Sequence, residues 1–520
     1  MKRWAGGVRA RLGGGARDER GAVAVIFAVS IVLLAPLALG IVDVYMSISQ
    51  RSRLQDALDA AALYTARSTA TDPDEIAAIG LRALKANLSA ADQARLVNSS
   101  FVLTDSTIQA SAEISSDSIA SELWNHGDMS VSTNVVRSSV NLEVSLVLDI
   151  TGSMSGDMDS LKSAADDLID LVVQDTQTPY YSKLAIVPYS NAVNVGSYVD
   201  AARGPLNIPT ITGATRTKSS GTYYITFTTA APHGLSSGDT VRLSDVGGYS
   251  SINTTWQVQS TTLDTFKIKY GSSNPGNYTS GGLVHCYNYG CENYTFTNAS
   301  WGTTTYPITS CVTERTGTYK YSDTAPSTAY VGLNYSNSCP SATMMPLSTD
   351  KTALKAKVTT LSSGGSTAGH IGISWGWYTI SPNFGYLWSD ANSRPAAYGT
   401  DELLKVAILM TDGEFNTAYC DGVVAKDSGS GSGNSNTHIN CNATNGSSIT
   451  QAEAVCDAMK DEDIIIYTVG FRISSGSTAA NLLAHCATDS DHQYLPASGV
   501  DLQDAFQAIG QDINSLRLSH

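Results

Sequence analysis

Charge is scarce in this chain of 520 residues. Only 15% of it is charged, and 32 Lys and Arg face 47 Asp and Glu, for a formal net charge of −15. The shortage of basic residues excludes a nucleic-acid-binding face, which needs a concentrated positive footprint. With 42% apolar residues beside so few charges, a disordered tail is excluded as well, and the length allows roughly two to four domains with real cores. No cysteine precedes Cys286, and none of the eight stands in the C-x2-C spacing of a zinc site. Cations and proteins are the partners left to consider.

Charge is missing altogether from "AVAVIFAVSIVLLAPLALGIV", residues 22–42. As a helix this run reaches about 31 Å, enough to cross a hydrocarbon core of about 30 Å. The apolar part of a cleaved secretory signal is only about 7–15 residues and ends at a small-residue site, which this run lacks. The segment therefore reads as an uncleaved anchor. The 20 residues before it hold six Lys or Arg against two acids, net +4, so the rest carries −19. The positive-inside rule then puts the N-terminus in the cytoplasm and everything after residue 43 outside. Cys286, Cys291, Cys311, Cys339, Cys420, Cys441, Cys456 and Cys486 all fall outside, and their even count predicts up to four disulfides. Eight cysteines permit many connectivities; pairing of sequence neighbours is the expectation.

Behind a basic tail (1–20) and the span (21–43), the chain reads as a small α+β module over residues 44–140. Leu54, Leu58, Ala61 and Ala62 share a helical face that continues the anchor. A second helix starts at Pro73 among acids. Alternation in "SSFVLTD", "STIQASAEI" and "MSVSTNVV" predicts strands. From residue 142 the pattern changes. Unalternating apolar strands, "LEVSLVLD", "KLAIVPY", "KVAILMTD" and "DIIIYTVGF", take turns with amphipathic helices. One helix carries Met158, Leu161, Ala165, Leu168 and Val172 on one face, one has Thr450 and Glu453 at capping-box spacing, and the last carries Leu502, Phe506, Ile509, Ile513 and Leu516. Strands that are apolar on both faces and separated by helices predict an α/β fold, a doubly wound, mostly parallel sheet with helices on both faces. It occupies 141–206 and 341–520. A β-rich insertion interrupts it at 207–284, where Ile225 and Phe227, Val241 and Leu243, Trp256 and Val258, and Phe266 and Ile268 alternate between turn signals. A Cys-bearing loop region follows at 285–340, and "KDSGSGSGNSN" reads as a flexible surface loop.

Ligands of open α/β sheets gather beyond the carboxyl ends of the strands. Asp149 ends one such strand, Thr151 and Ser153 follow at alternate positions, and Gly152 permits the bend. Alternate positions of a tight loop can converge on one point, and a hard divalent cation is the natural occupant. Few carboxylates, several neutral hydroxyls and room for water favour Mg²⁺, with Mn²⁺ or Ca²⁺ as substitutes. "ILMTDGEF" puts Asp412 just past another strand, and "SSGGSTAGHIGISWGWYTISP" puts Thr367 on a Gly-rich loop ahead of a helix. Alone, Asp412 is an ordinary D-G turn and Thr367 a helix cap. Three oxygen-bearing loops in this order on one sheet point to one site.

These segments resemble the metal-ion-dependent adhesion site of a von Willebrand factor A domain, D-x-S-x-S followed by a Thr and an Asp. Asp149, Thr151, Ser153, Thr367 and Asp412 match the five positions, with Thr151 where the family usually has Ser. The anchor and the following "RLQDALDAAALYTA" are similar to the TadE/TadG-like proteins of Flp (tight adherence) pilus assembly, and "CVTERTG" and "CPSATMMPLSTDKTALKAKV" to the TadG branch. Pilin-type processing wants Glu at the fifth position after Gly21, where Ile26 stands, so no such cleavage is expected. The insertion at 211–284 is similar to small β modules of tail-like surface proteins. The resemblance implies a von Willebrand factor A (VWA) fold and a single-pass protein of the bacterial inner membrane, with its bulk periplasmic or exported and with no enzymatic activity. It implies that Thr151, Ser153 and Thr367 hold the metal directly, and Asp149 and Asp412 directly or through water. The metal would then accept a carboxylate from a protein partner among pilus-assembly or surface components.

Enzymatic readings and a scaffold reading stand beside this one. A Mg-dependent phosphatase of the haloacid-dehalogenase type wants a second Asp two positions after the first, where Thr151 sits, and the elbow-like "GSMSG" has Met154 where a hydrolase needs Ser. The scaffold reading makes the protein a structural scaffold with a degenerate metal site, whose insertions bind the partner. The N-x-[S/T] triplets at Asn253, Asn277 and Asn293 read as accidental, and His285, His438 and His485 as surface residues rather than ligands.

Overall fold

The computed structural model describes residues 19–68, 70, 72–104, 107–116, 127–136, 140–178, 180–249, 251–336, 338–429 and 435–519. Almost all of the basic tail, and part of the Gly/Ser loop, lie outside the described residues. The chain divides into two compact units at residue 138.

The first unit is built on α1 (Glu19–Ala66), a continuous helix of 48 residues, about 72 Å long. It is the one helix among the described residues long and apolar enough to cross a membrane, by length and composition. Its two halves face different surroundings. Val25, Ile26, Phe27, Val32 and Leu37 are exposed, whereas Leu54, Ala57, Leu58, Ala61 and Ala62 are buried. Pro36 lies in the apolar half, where a spanning helix tolerates a missing N–H. Two helices follow, α2 (Pro73–Asn87) and the short α3 (Ala90–Ala94). Asp72 caps α2 by accepting from the Asp74 and Glu75 N–H groups. Strands β1 (Leu96–Thr104), β2 (Thr107–Ile114) and β3 (Met129–Val136) form an antiparallel sheet in that order. Phe101, Ile108, Ala110, Ala112, Ile114 and Val131 join the buried face of α1 and α2 in one core.

The second unit opens with β4 (Asn141–Asp149), α4 (Met158–Val172), β5 (Ser182–Tyr189), the short β6 (Val193–Asn194) and α5 (Val199–Arg203). The β-rich insertion follows as β7 (Ile211–Ser219), β8 (Thr222–Thr229), β9 (Thr240–Ser244), β10 (Thr255–Thr261), β11 (Thr265–Gly271) and β12 (Leu283–Cys286). These six strands form their own sheet, ordered β12-β9-β10-β11-β8-β7. Next come β13 (Asn293–Thr297), β14 (Thr303–Thr313) and β15 (Gly332–Tyr335). The scaffold resumes with β16 (Met345–Ser348), α6 (Lys351–Thr359), α7 (Gly369–Ile380), β17 (Leu403–Thr411), a two-stranded hairpin of β18 (Tyr419–Cys420) and β19 (Val423–Val424), α8 (Ser448–Lys460), β20 (Ile465–Gly470), α9 (Thr478–Cys486), β21 (Gln493–Tyr494) and α10 (Gly499–Ser519).

The scaffold strands lie in the order β16-β5-β4-β17-β20-β21. Numbered by their sequence among themselves this is 3-2-1-4-5-6, the doubly wound arrangement, with every pair parallel except β16 on β5. Both faces are covered, which is why the central strands carry apolar residues toward both sides and are buried along most of their length. Leu142, Val144, Leu146 and Leu148 of β4 pack with Leu161, Leu168, Leu502 and Phe506 of α4 and α10. Val147 packs on the other side, with Ile371, Trp375, Val455 and Leu482 of α7, α8 and α9.

Two sequence expectations need correction. Residues 285–340 are not a loop region: β14 pairs with β6, which pairs with β5, so the segment extends the main sheet. Helix α8 is capped by Ser447, whose Oγ accepts the Thr450 N–H at 3.2 Å, and not by Thr450. The four disulfides join sequence neighbours as expected: Cys286–Cys291, Cys311–Cys339, Cys420–Cys441 and Cys456–Cys486.

Helix α7 lies unusually close to the sheet because of its glycines. A Cβ at Gly372 would stand 2.5 Å from the Tyr189 ring, and one at Gly376 2.5 Å from Val147. Glycine inside a helix costs about 1 kcal/mol relative to alanine; here the cost is offset by close packing. Gly372→Ala should overpack this contact and lower stability by about 1–3 kcal/mol in denaturant unfolding. Unchanged stability would mean that the helix can retreat freely.

Candidate metal centre

At its carboxyl end β4 stops at Asp149, whose carboxylate is fully buried and accepts three hydrogen bonds. The Thr151 N–H donates to Oδ1 at 2.8 Å, and the hydroxyls of Thr411 and Tyr189 donate to Oδ2 at 2.8 and 3.2 Å. Asp149 thus joins the ends of β4, β5 and β17. Beyond it the chain turns through a 3-10 segment, Gly152–Gly156, before α4. Thr151 Oγ1 lies 2.9 Å from Ser153 Oγ, and the Ser153 hydroxyl donates to Asp412 Oδ1 at 2.7 Å. Ser153 spends its proton on Asp412, and its oxygen is in turn in hydrogen-bond contact with Thr151 Oγ1, so the three side chains are connected.

Thr367 belongs to a loop sewn onto the same place. The Gly152 N–H donates to Gly365 O at 3.0 Å and the Gly364 N–H to Ile150 O at 2.8 Å, tying this loop to the Asp149 turn. The Thr367 N–H donates to Asn416 Oδ1 at 3.1 Å, while Thr367 O accepts from the Asn416 and Thr417 N–H groups. The loop therefore spans the gap between the Asp149 turn and the Asp412 loop. Gly365 is required in it: its φ is +86°, and a Cβ would stand 2.0 Å from Asn191 Oδ1. Asp149, Thr151, Ser153 and Asp412 are linked side chain to side chain or through the Thr151 amide, whereas Thr367 is held by its backbone to Asn416 and Thr417, on the loop that begins at Asp412.

Electrostatically the place is short of positive charge. Burial, against the hydrogen bonds from Thr151, Thr411 and Tyr189, raises the Asp149 carboxyl above its ordinary range. Burial first, and then the neighbouring charge of Asp149, push Asp412 up to about 6. Asp157 also bears on Asp412 but has its own cation, Arg472, which contacts it in two-pronged fashion at 2.7 and 2.8 Å. The 2.9 and 2.7 Å separations among Thr151, Ser153 and Asp412 are those of O–H···O hydrogen bonds, which hold these three oxygens together at the edge of the sheet.

Several contributors carried no sequence signal of their own. Tyr189 and Thr411 end buried strands, Asn191 accepts the Ser366 N–H at 2.9 Å, and Asn416 holds Thr367. Cys420, Asp421 and Cys441 also lie within metal-binding reach of one another, but both sulfurs belong to the Cys420–Cys441 disulfide and are lost as ligands. His485 is on the surface, paired with Asp457, as expected. His438 is buried instead, and His285 is largely covered, between Ser244 and Glu292.

Residues 21–68 match the family model of the putative Flp pilus-assembly TadE/G-like proteins, and residues 221–288 that of the ubiquitin-activating enzyme E1 FCCH domain. No curated protein matches significantly. Among solved structures, the von Willebrand factor domain of the type V pili tip protein Mfa5 from Porphyromonas gingivalis is 10% identical, with a TM-score of 0.32, over 73% of this chain and 97% of its own. The pilus adhesin RrgA from Streptococcus pneumoniae is 10% identical, TM-score 0.32, over 80% and 49%. A von Willebrand factor type A protein from Catenulispora acidiphila is 10% identical, TM-score 0.27, over 82% and 52%. The expected VWA-type α/β fold is the one found, and the strand order with helices on both faces carries that statement.

An acid whose folded pKa lies above its ordinary 3.8 is easier to protonate in the folded state. Its effect is to lower stability as pH rises from about 4 to about 6, and to keep it lowered above that. In chelator, Asp412→Asn should therefore melt with wild type near about pH 4 and above it near about pH 7.5, by calorimetry. A wild type that gains on the variant as pH rises would contradict this sign.

Proposed function

We propose that this chain is a membrane-anchored, exported protein of Flp-type pilus assembly or surface adhesion, which binds a protein partner through Mg²⁺ at the Asp149 edge of the sheet. The convergence of Thr151, Ser153 and Asp412 through hydrogen bonds, beside buried Asp149 and the Thr367 loop, carries this reading. The TadE/G-like match over residues 21–68, the apolar helix α1 and the disulfides support anchoring and export. In this reading α1 spans the inner membrane once, with its N-terminus cytoplasmic.

Thr151, Ser153 and Thr367 would offer neutral oxygens, and Asp149 and Asp412 would act directly or through water. Bound there, Mg²⁺ supplies an electrophilic position for a carboxylate. Because the oxygens nearest to it are mostly neutral, a partner's Asp or Glu adds charge that the chain itself withholds. Asp149 acts chiefly by orientation: its three donors fix the turn that presents Thr151 and Ser153. Ser153 is exposed and marks the side from which a partner reaches the site. No nucleophile or general base is assigned, so the proposed role is binding and not catalysis.

The test is thermal unfolding of the full chain in detergent, with EDTA and with Mg²⁺. Mg²⁺ at about 100 times its dissociation constant should add about 2.7 kcal/mol to wild type, and nothing to Asp149→Ala. Absence of any Mg²⁺ effect would favour the scaffold reading, and turnover of a generic phosphate ester that disappears in Asp149→Ala would favour the phosphatase.

A further inference from the structure

The segment between β12 and β16 does more than extend the sheet. Directly after β14 comes Glu314, whose side chain is only 6% exposed. An acid so buried costs several kcal/mol unless it is paired. Its Oε1 accepts the Tyr419 N–H at 2.9 Å, and its Oε2 lies 3.4 Å from His370 Nε2. The imidazole is 1% exposed, and its Nδ1 is 2.6 Å from Ser448 Oγ on α8. The ring donates Nε2–H to Glu314, and its Nδ1 meets the Ser448 hydroxyl. Burial alone would raise the Glu314 carboxyl, but the hydrogen bond and charge of His370, with backbone amides including that of Tyr419, hold it below the ordinary range.

The two partners of Glu314 belong to two different loops of the candidate site. His370 stands in the first turn of α7, three residues beyond Thr367. Tyr419 closes the loop that begins at Asp412, and its hydroxyl donates to Asn191 O, while Asn191 Oδ1 accepts the Ser366 N–H. A single carboxylate therefore fastens the Thr367 loop and the Asp412 loop together from behind. It is itself fixed by the pairing of β14 with β6 and by the Cys311–Cys339 disulfide. An apolar side chain could fill this space, but it could not take hold of a backbone amide and an imidazole at once.

We propose that Glu314 is a positioning residue for the metal site, setting the separation of Thr367 and Asp412, so that the Cys-bearing insertion is part of the site's frame. The inference rests on the metal reading above. The probe is Mn²⁺ alone, titrated into the full chain in detergent by isothermal calorimetry and followed by amide exchange in EDTA. Glu314→Gln is nearly isosteric and keeps an oxygen for the Tyr419 amide. It should weaken Mn²⁺ by about tenfold or more. In EDTA it should melt close to wild type while the Thr367, Asn416 and Thr417 amides exchange faster. Mn²⁺ affinity equal to wild type overturns the proposal, as does a weakening accompanied by a general fall in melting temperature and protection across the second unit. If wild type binds no Mn²⁺, the metal reading has failed and this proposal falls with it; if wild type binds Mn²⁺ and exchange at those three amides is unchanged in Glu314→Gln, the positioning claim alone is overturned.

Discussion

The buried carboxylate of Asp149 is the point on which this structure turns. Its three donors come from the turn that follows it and from the ends of two neighbouring strands, so one side chain fixes β4, β5 and β17 relative to the loop that carries Thr151 and Ser153. Burying an ion is expensive, and hydrogen bonds from neutral groups offset only part of the cost. With Asp412 beside it, that cost is what a bound cation would offset in the proposed reading.

The rest of the scaffold places these groups. Covering a parallel sheet on both faces leaves its carboxyl edge as the place where loops converge. Helix α7 must lie close for the Thr367 loop to reach across, and Gly372 and Gly376 permit that approach. The two insertions leave the scaffold between α5 and β16. The six-stranded sheet encloses its own core around Phe227, Val241, Val258 and Phe266. The following segment instead merges with the main sheet and sends Glu314 beneath the site.

What could be read from the sequence follows the range of the interactions. Continuous apolar runs made β4 and β17 legible, because both faces of the sheet are covered, and helical periodicity made α4 and α10 legible, because burial on one face repeats at fixed spacing. Alternate oxygens after Asp149 were legible because one short loop holds them. Glu314, Asn191 and Asn416 were not, since each acts through a partner distant in sequence and none stands in a local pattern. Strands β13 and β14 escaped notice because they are built from Thr and Tyr, and β14 finds its partner β6 across more than a hundred residues. At the start of α8 two hydroxyls compete within one turn: Thr450 donates back to Ser447 O at 3.0 Å while Ser447 does the capping.

The account's central claim is that oxygens from three separated loops surround one cation. The anomalous scattering of a crystal soaked in Mn²⁺ tests it most directly, because it locates the ion without reference to stability or activity. A single peak bounded by Thr151, Ser153 and Thr367, with Asp412 and Asp149 behind it, is the predicted result. At saturating Mn²⁺, no density among those side chains, or a peak touching only one of the three loops, would contradict it.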